Sequence, residues 1–217
     1  MKKMYDLSQP FFNEMPYAPN IGPFYAERVM SHENGDQLQV TRYQFCSHTG
    51  THLDAPRHIF AGGKTIDQIP LERLKSRCVI VEALKQPFEE ITVRDVLDNG
   101  VEIQPGDYVF FHTGFSEKFM QPDYVNNASI AIELANWLVE KRVGIVGIDC
   151  NTIDQTYCLR KPGFDFPVHH ILLGNDILVI EHLKLDHIPE KVLNVSVFAL
   201  NILGADGSPV RVIGESL

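Results

Sequence analysis

The chain is short of most features that would place it in a specialised class at once. It has four cysteines in 217 residues, Cys46, Cys78, Cys150 and Cys158, with no C-x-x-C pair among them. No disulfide framework or thiolate zinc site is written into it, and the thiols are expected to be reduced. No apolar run approaches the roughly 18 residues that a membrane-spanning helix needs. The N-terminus reaches Asp6 before the apolar core of a signal peptide can form, so a cytoplasmic protein is expected. Positive charge is also scarce: 19 Lys and Arg face 28 Asp and Glu, a net charge of −9. A nucleic-acid partner would want a basic face, and anionic lipid would repel this surface. There is no Gly-x-Ser-x-Gly elbow for a serine hydrolase, no phosphate-binding glycine loop and no dinucleotide fingerprint. Internal repeats, low-complexity tracts and linkers are missing as well.

What the chain does have is material for a core. Apolar residues make up 44% of it, enough for one domain over residues 1–217. Residues 38–45 mix apolar and polar side chains as a half-buried strand does. Residues 78–83 and 108–112 are short apolar runs of buried-strand type. Between them Thr92 caps a short helix, with Asp95 three residues on and Gly100 to end it. Residues 129–142 make the best helix, with Ile132, Leu134, Trp137 and Leu138 as its core face, and 143–148 is the strand that follows. Residues 177–180 and 192–203 are further strands, the second alternating as Val195, Val197 and Ala199. Ser208-Pro209 reads as a turn, and His182 and His187 as surface residues. The pattern is a mixed α/β domain without a regular βα repeat.

The chemistry concentrates in residues 47–58, Ser-His-Thr-Gly-Thr-His-Leu-Asp-Ala-Pro-Arg-His. Three of the nine histidines, His48, His52 and His58, fall here together with Asp54. Imidazole nitrogen and carboxylate oxygen are the donors that zinc, manganese or iron accept. Gly50 and Pro56 argue against a regular helix. His52 and Asp54, two apart, share one side of an extended segment. A strand running out into a loop is expected, with its side chains converging at the mouth. Gly50 would allow an unusual backbone angle. By its position His58 suits a ligand, a group behind the ligands or a general acid/base.

This string resembles the signature of the cyclase-like metal hydrolases, the family of bacterial kynurenine formamidase and isatin hydrolase. The resemblance continues through Asp6-Leu7-Ser8-Gln9-Pro10, Gly147-Ile148-Asp149, His169-His170-Ile171-Leu172-Leu173, Ile180-Glu181-His182-Leu183 and Gly204-Ala205-Asp206-Gly207-Ser208-Pro209-Val210-Arg211. It implies a swivelling β/β/α arrangement with a barrel-like sheet and flanking helices. It also implies that His48, His52 and Asp54 hold one divalent metal. Asp54 and Glu181 then bridge to a second, completed by His169, with His170 as the neighbour rather than the ligand. Two Zn2+ per subunit are expected, with Mn2+ an acceptable substitute. Hydroxide generated at the metal would attack an amide carbonyl, with His58 as general acid/base.

The substrate implied is an aryl formamide such as N-formylkynurenine, a small molecule of tryptophan catabolism. In that family an aromatic residue, usually tryptophan, contacts it from an N-terminal Pro-x-Pro-like loop. Here the loop reads Met15-Pro16-Tyr17-Ala18-Pro19-Asn20, and Tyr17 takes that place. Another amide, a lactam or a lactone stays open. Phe60, Phe115, Phe164 and Phe166 are candidates for an apolar pocket, each equally suited to ordinary packing. The loop 160–167 offers Arg160 and Lys161 as a cation for a substrate carboxylate. A cyclase or dehydratase on the same scaffold and a non-catalytic metal-binding protein are the alternatives. A homodimer or larger homo-oligomer is implied by the resemblance alone.

Overall fold

Apolar runs become strands, and their alternation decides which side of the sheet each residue serves. The computed structural model describes residues 2–18 and 20–217. Its strands are β1 (Met4–Asp6), β2 (Tyr25–Met30), β3 (Val40–Gln44), β4 (His52–Asp54), β5 (Lys75–Glu82), β6 (Glu90–Ile91), β7 (Tyr108–His112), β8 (Ser129–Ile130), β9 (Ile145–Ile148), β10 (Leu178–Glu181), β11 (Val192–Ala199) and β12 (Gly207–Ser216). The helices are α1 (Val93–Asn99), α2 (Ile132–Lys141) and α3 (Pro167–Gly174). Eight strands form one sheet in the order β1-β12-β11-β5-β7-β9-β10-β4, and a further pairing of β12 with β4 closes seven of them into a barrel.

β5, β7, β9 and β10 run parallel. Such strands are covered on both faces and read as continuous apolar runs. Ile80, Phe110, Ile145 and Ile180 belong to one core with Leu193, Val195 and Val197 from β11, which fills the barrel. The intervening Val79, Val81, Val109, Phe111 and Val146 pack outward, in a second core with Leu134 and Leu138 of α2 and Leu172 of α3. The fold is thus the barrel-like sheet with flanking helices that the resemblance implied.

Local signals held where the chemistry is local. Thr92 and Asp95 form a reciprocal capping box on α1, and Gly100 closes it in the left-handed region at φ 73°. α2 is shorter than expected, because Ser129 and Ile130 pair with β6 as β8. Its buried face is Leu134, Ala135 and Leu138, while Ile132 at its start is exposed. β3 is exposed along most of its length, since its partner is β2 alone in a separate hairpin.

Ser208 and Pro209 are not a turn. They lie in β12, opposite Leu53 and His52. Val210 donates its N–H to Thr51, so the missing N–H of Pro209 falls on the side where β11 begins to pair only at Val210. No ladder bond is lost there. Among the described residues, no helix is long and apolar enough to cross a membrane.

Gly147, in the middle of β9, has no room for a side chain: a Cβ there would stand 2.5 Å from both Leu183 Cδ1 and Phe110 Cδ1. Gly147→Ala is expected to destabilise the fold by about 1–3 kcal/mol through overpacking. Urea denaturation checks this, and an unchanged midpoint would show that the barrel wall yields there.

Candidate metal centre

β4 is only three residues long, yet it is paired on both sides. His52 lies opposite Glu181 of β10 and Pro209 of β12, and Asp54 opposite Val179 and Gly207. Leu53 joins the core inside the barrel, so His52 and Asp54 project from the outer face, where α3 lies. The convergence expected at a strand mouth therefore happens on the flank of the barrel. α3 presents buried His169 there, while His170 is exposed and bonds back to the Phe166 carbonyl.

The distances suit a cation better than hydrogen bonds. His52 Nε2 is 3.4 Å from Asp54 Oδ1 and 3.5 Å from Glu181 Oε2. His169 Nε2 is 3.5 Å from Asp54 Oδ2 and 3.3 Å from Glu181 Oε1. Two donors each about 2.1 Å from one tetrahedral ion stand roughly 3.4 Å apart. His48 Nδ1 is closer, 2.7 Å from Asp54 Oδ1, yet both Asp54 oxygens and His52 Nε2 are buried without a hydrogen-bond partner. Buried polar atoms are rarely orphaned in this way. The donor set fits a divalent metal.

The nitrogen of each histidine that faces away from the cluster is held by an acceptor. His52 Nδ1 is 2.7 Å from the Gly50 carbonyl, His169 Nδ1 2.6 Å from Asp154 Oδ2 and His48 Nε2 2.8 Å from Asp206 Oδ2. Such partners fix ring tautomer and orientation and raise ligand basicity. Gly50 takes φ 59°, and a Cβ there would meet Phe11 at 2.8 Å. Gly207 is equally constrained, since its Cβ would stand 2.8 Å from His48 Cε1.

Charge accounts for the titration behaviour. Burial would lower the His48 pKa, but the Asp54 and Asp206 carboxylates override it and raise it to about 10. His169 is raised well above 6.5 against its burial, by Asp154, Asp54 and Glu181. Burial works against ionisation of Asp54, yet His48 and His52 hold it well below the usual range; burial opposes ionisation of Glu181 too, but His169 lowers its pKa. His58 goes the other way: burial lowers it, assisted by His48 and His169 and opposed by Asp54.

His58 lies on the Pro56–His58 turn after β4. Its ring is 4.0 Å from that of His48, and its Nδ1 3.6 Å from Asp206 Oδ2. It stands near enough to Asp54 and His169 to share an ion with them. His182 is not a surface residue: it is 5% exposed, packs 5.8 Å from the His52 ring and meets the Tyr124 hydroxyl at 2.8 Å. Burial pushes its pKa down to about 3. The strand end at Glu181 carries the chain inward instead of out, which the sequence does not signal. His187 is exposed.

The cluster opens into a cavity of about 360 Å3, walled on its far side by Tyr157, Arg160, Phe166 and the N-terminal residues Ala18, Asn20 and Ile21. Tyr17, next to these, is 46% exposed and not part of the wall. Phe166 is in the wall and Phe164 stacks edge-on behind it. Phe115 belongs to the core, and Phe60 and His112 face other depressions. Asp154 and Asp206 were missed as individual sites, because an isolated acid in a loop looks like any solvated one.

The chain is similar to known proteins over nearly its whole length. The family model described as "Putative cyclase" matches residues 5–155, which includes the His48–His58 string and stops before His169. Kynurenine formamidase of Bacillus mycoides (strain KBAB4) is 27% identical over 209 residues, covering 96% of this chain and 95% of its own. The solved structure of a potential metal-dependent hydrolase with cyclase activity is 29% identical with a TM-score of 0.81, covering 100% of this chain and 99% of that one. Isatin hydrolase A from Ralstonia solanacearum has a TM-score of 0.88 at 23% identity over 100% of this chain and 92% of its own, a likeness of fold.

A metal bound by His48 and His169 would displace protons, because both pKa values are raised in the free protein and a ligand imidazole is neutral. Zinc binding at pH 7 is expected to release protons and to weaken as pH falls. Calorimetry in buffers of different ionisation enthalpy reads the release directly; buffer-independent heats would contradict the assignment. His52→Ala and Asp54→Ala are each expected to lose bound metal, measured by elemental analysis after dialysis.

Proposed function

The chain belongs to the cyclase family, and on that premise we propose that it is a metal-dependent hydrolase of an amide C–N bond, with an aryl formamide such as N-formylkynurenine as its substrate. The observation that carries this reading is the buried set of His52, Asp54, His169 and Glu181 with the half-buried His48, the His52 and Asp54 donor atoms orphaned, beside an aromatic-walled cavity. A cavity of that size suits a single-ring substrate.

Asp54 and Glu181 support a two-metal site, because each divides its oxygens. Asp54 turns Oδ1 to His48 and His52 and Oδ2 to His169, and Glu181 turns Oε2 to His52 and Oε1 to His169. His48, His52 and Asp54 would hold one ion and His169 the second, with Asp54 and Glu181 shared. Nitrogen and oxygen donors suit Zn2+, and Mn2+ takes the same set. A cation bound there supplies Lewis acidity, polarising the carbonyl and making water acidic enough to attack at neutral pH.

His58 moves the proton. With its pKa lowered it is neutral near pH 7, so its ring accepts a proton from the attacking water and returns it to the departing amine nitrogen. The C–N bond breaks, giving amine and formate. Phe166 and Tyr157 offer ring faces to an aromatic substrate, and Tyr17 stands next to the N-terminal wall residues as the further aromatic proposed to contact it. The hairpin of β2 and β3 exposes Tyr25 and Tyr43, which supports association of two copies; sedimentation showing only monomer would remove that part. A cytoplasmic location accords with the cysteine usage, and fractionation of the source cells tests it.

The protein stripped with chelator and reloaded with Zn2+ or Mn2+ is expected to turn over N-formylkynurenine only when metal is present. Metal-loaded protein inactive on it but active on isatin would move the substrate to lactams, and no amide or lactam turnover would favour a cyclase, dehydratase or binding role. His58→Ala is expected to keep its metal while losing roughly 100- to 10,000-fold in kcat. Loss of a metal ion instead would make His58 a ligand.

A further inference from the structure

Arg160 is the only Lys or Arg side chain in the wall of the cavity that holds the donor cluster, among the described residues. Its guanidinium carbon lies 4.6 Å from the Phe166 ring centre, 5.1 Å from that of Phe164 and 5.7 Å from that of Tyr157. Its Nε donates to the Gln155 carbonyl at 2.6 Å and Nη2 to the Thr152 hydroxyl at 3.2 Å. Every one of these partners is neutral, and among the described residues no carboxylate lies within ion-pair distance of Arg160. Lys161, its neighbour, is exposed and outside the wall.

A half-buried cation without a counter-ion is costly unless something else brings the anion. The two carboxylates that act on Arg160 from a distance, Glu181 and Asp154, are already committed. Glu181 accepts from the Ile153 N–H at 2.8 Å and faces His52 and His169. Asp154 accepts from the N–H groups of Val168 and His169 and faces the His169 ring. Arg160 is thus left without a carboxylate of its own in the cavity wall. Three rings and two hydrogen bonds hold its plane, so little freedom is lost when it binds.

We propose that Arg160 is the specificity residue that receives a carboxylate of the substrate, so that the preferred substrate is an amide carrying a carboxylate away from the bond that breaks. A planar guanidinium pairs with a carboxylate in a fixed geometry, and a neutral amide or lactam leaves the cation unanswered. This inference rests on the hydrolase reading above and narrows its substrate class.

The test compares zinc-loaded wild type, Arg160→Met and Arg160→Lys on N-formylkynurenine, which carries a carboxylate, and formanilide, which does not. Wild type is expected to favour the anionic amide in kcat/KM by roughly tenfold to a hundredfold beyond any preference of Arg160→Met, chiefly through KM. Arg160→Lys keeps the charge but loses the fork, and is expected to fall between. Losses equal on both amides, leaving the ratio intact, would overturn the proposal. If Arg160→Met does not fold, a wild-type preference of less than about twofold, or an unchanged preference in Arg160→Lys, overturns it as well. Direct binding separates this inference from the reaction it rests on. Wild type is expected to bind kynurenine at least tenfold more tightly than 2-aminoacetophenone, which lacks the carboxylate, with the difference erased in Arg160→Met. If neither amide is hydrolysed, the hydrolase reading fails and these affinities decide the role of Arg160; equal affinities would end it.

Discussion

Two carboxylates, Asp54 and Glu181, and the imidazoles of His52 and His169 are buried against one another on the outer face of the barrel, with the half-buried His48 beside them. Asp54 is 1% exposed and Glu181 6%. Two negative charges in so dry a place repel strongly, and removing either the charges or the compensation would be destabilising. Protonated His48 and His169 supply compensation in the free protein. A divalent cation would supply it more completely, with carboxylate oxygens and imidazole nitrogens as its donors. Closure of the barrel follows from the same need: β4 is too short to hold its place alone, and only its double pairing to β10 and β12 fixes His52 and Asp54 against Glu181.

Around the donors stands a shell whose members do nothing chemical and yet decide the chemistry. Asp206, Asp154 and the Gly50 carbonyl each hold the far nitrogen of one histidine, leaving the near nitrogen for the cluster. Gly50 and Gly207 are small because side chains there would collide with Phe11 and with His48. His182, neutral and locked to Tyr124, packs against the His52 ring. The centre is therefore preorganised from behind, by backbone and carboxylate partners on separate elements of the barrel. His58 stands on a turn at the rim of the cavity, a position that suits the proton transfer proposed for it.

The opposite wall of the cavity obeys a different logic. Phe166 and Tyr157 make an aromatic surface with Phe164 edge-on to Phe166, and among the described residues the one cation in the wall lies over these rings without an ion-pair partner. Reaction and recognition are thus separated in space. On the proposed reading the donor cluster acts on the carbonyl, while the loop before α3 meets the rest of the substrate.

The sequence by itself determined what depends on neighbours along the chain. The His48–His58 string pointed to metal chemistry, Thr92, Asp95 and Gly100 set both ends of α1, and the apolar runs at 108–112 and 143–148 were legible as strands because parallel strands are covered on both faces. The alternation of β11 likewise showed in Val195 and Val197. What the tertiary structure decided was everything that needed a partner far away. Pro209 looked like a turn because nothing nearby tells that its missing N–H falls where no strand yet pairs. His182 looked solvated because only the packing of Tyr124 and His52 buries it. β3 looked half-buried because nothing local says that its single partner is a hairpin. Asp154 and Asp206 were ordinary acids until the barrel carried them to within 2.6 and 2.8 Å of His169 and His48. Residue types fix which bonds a side chain can make, but closing the sheet is what chooses the atoms it makes them to.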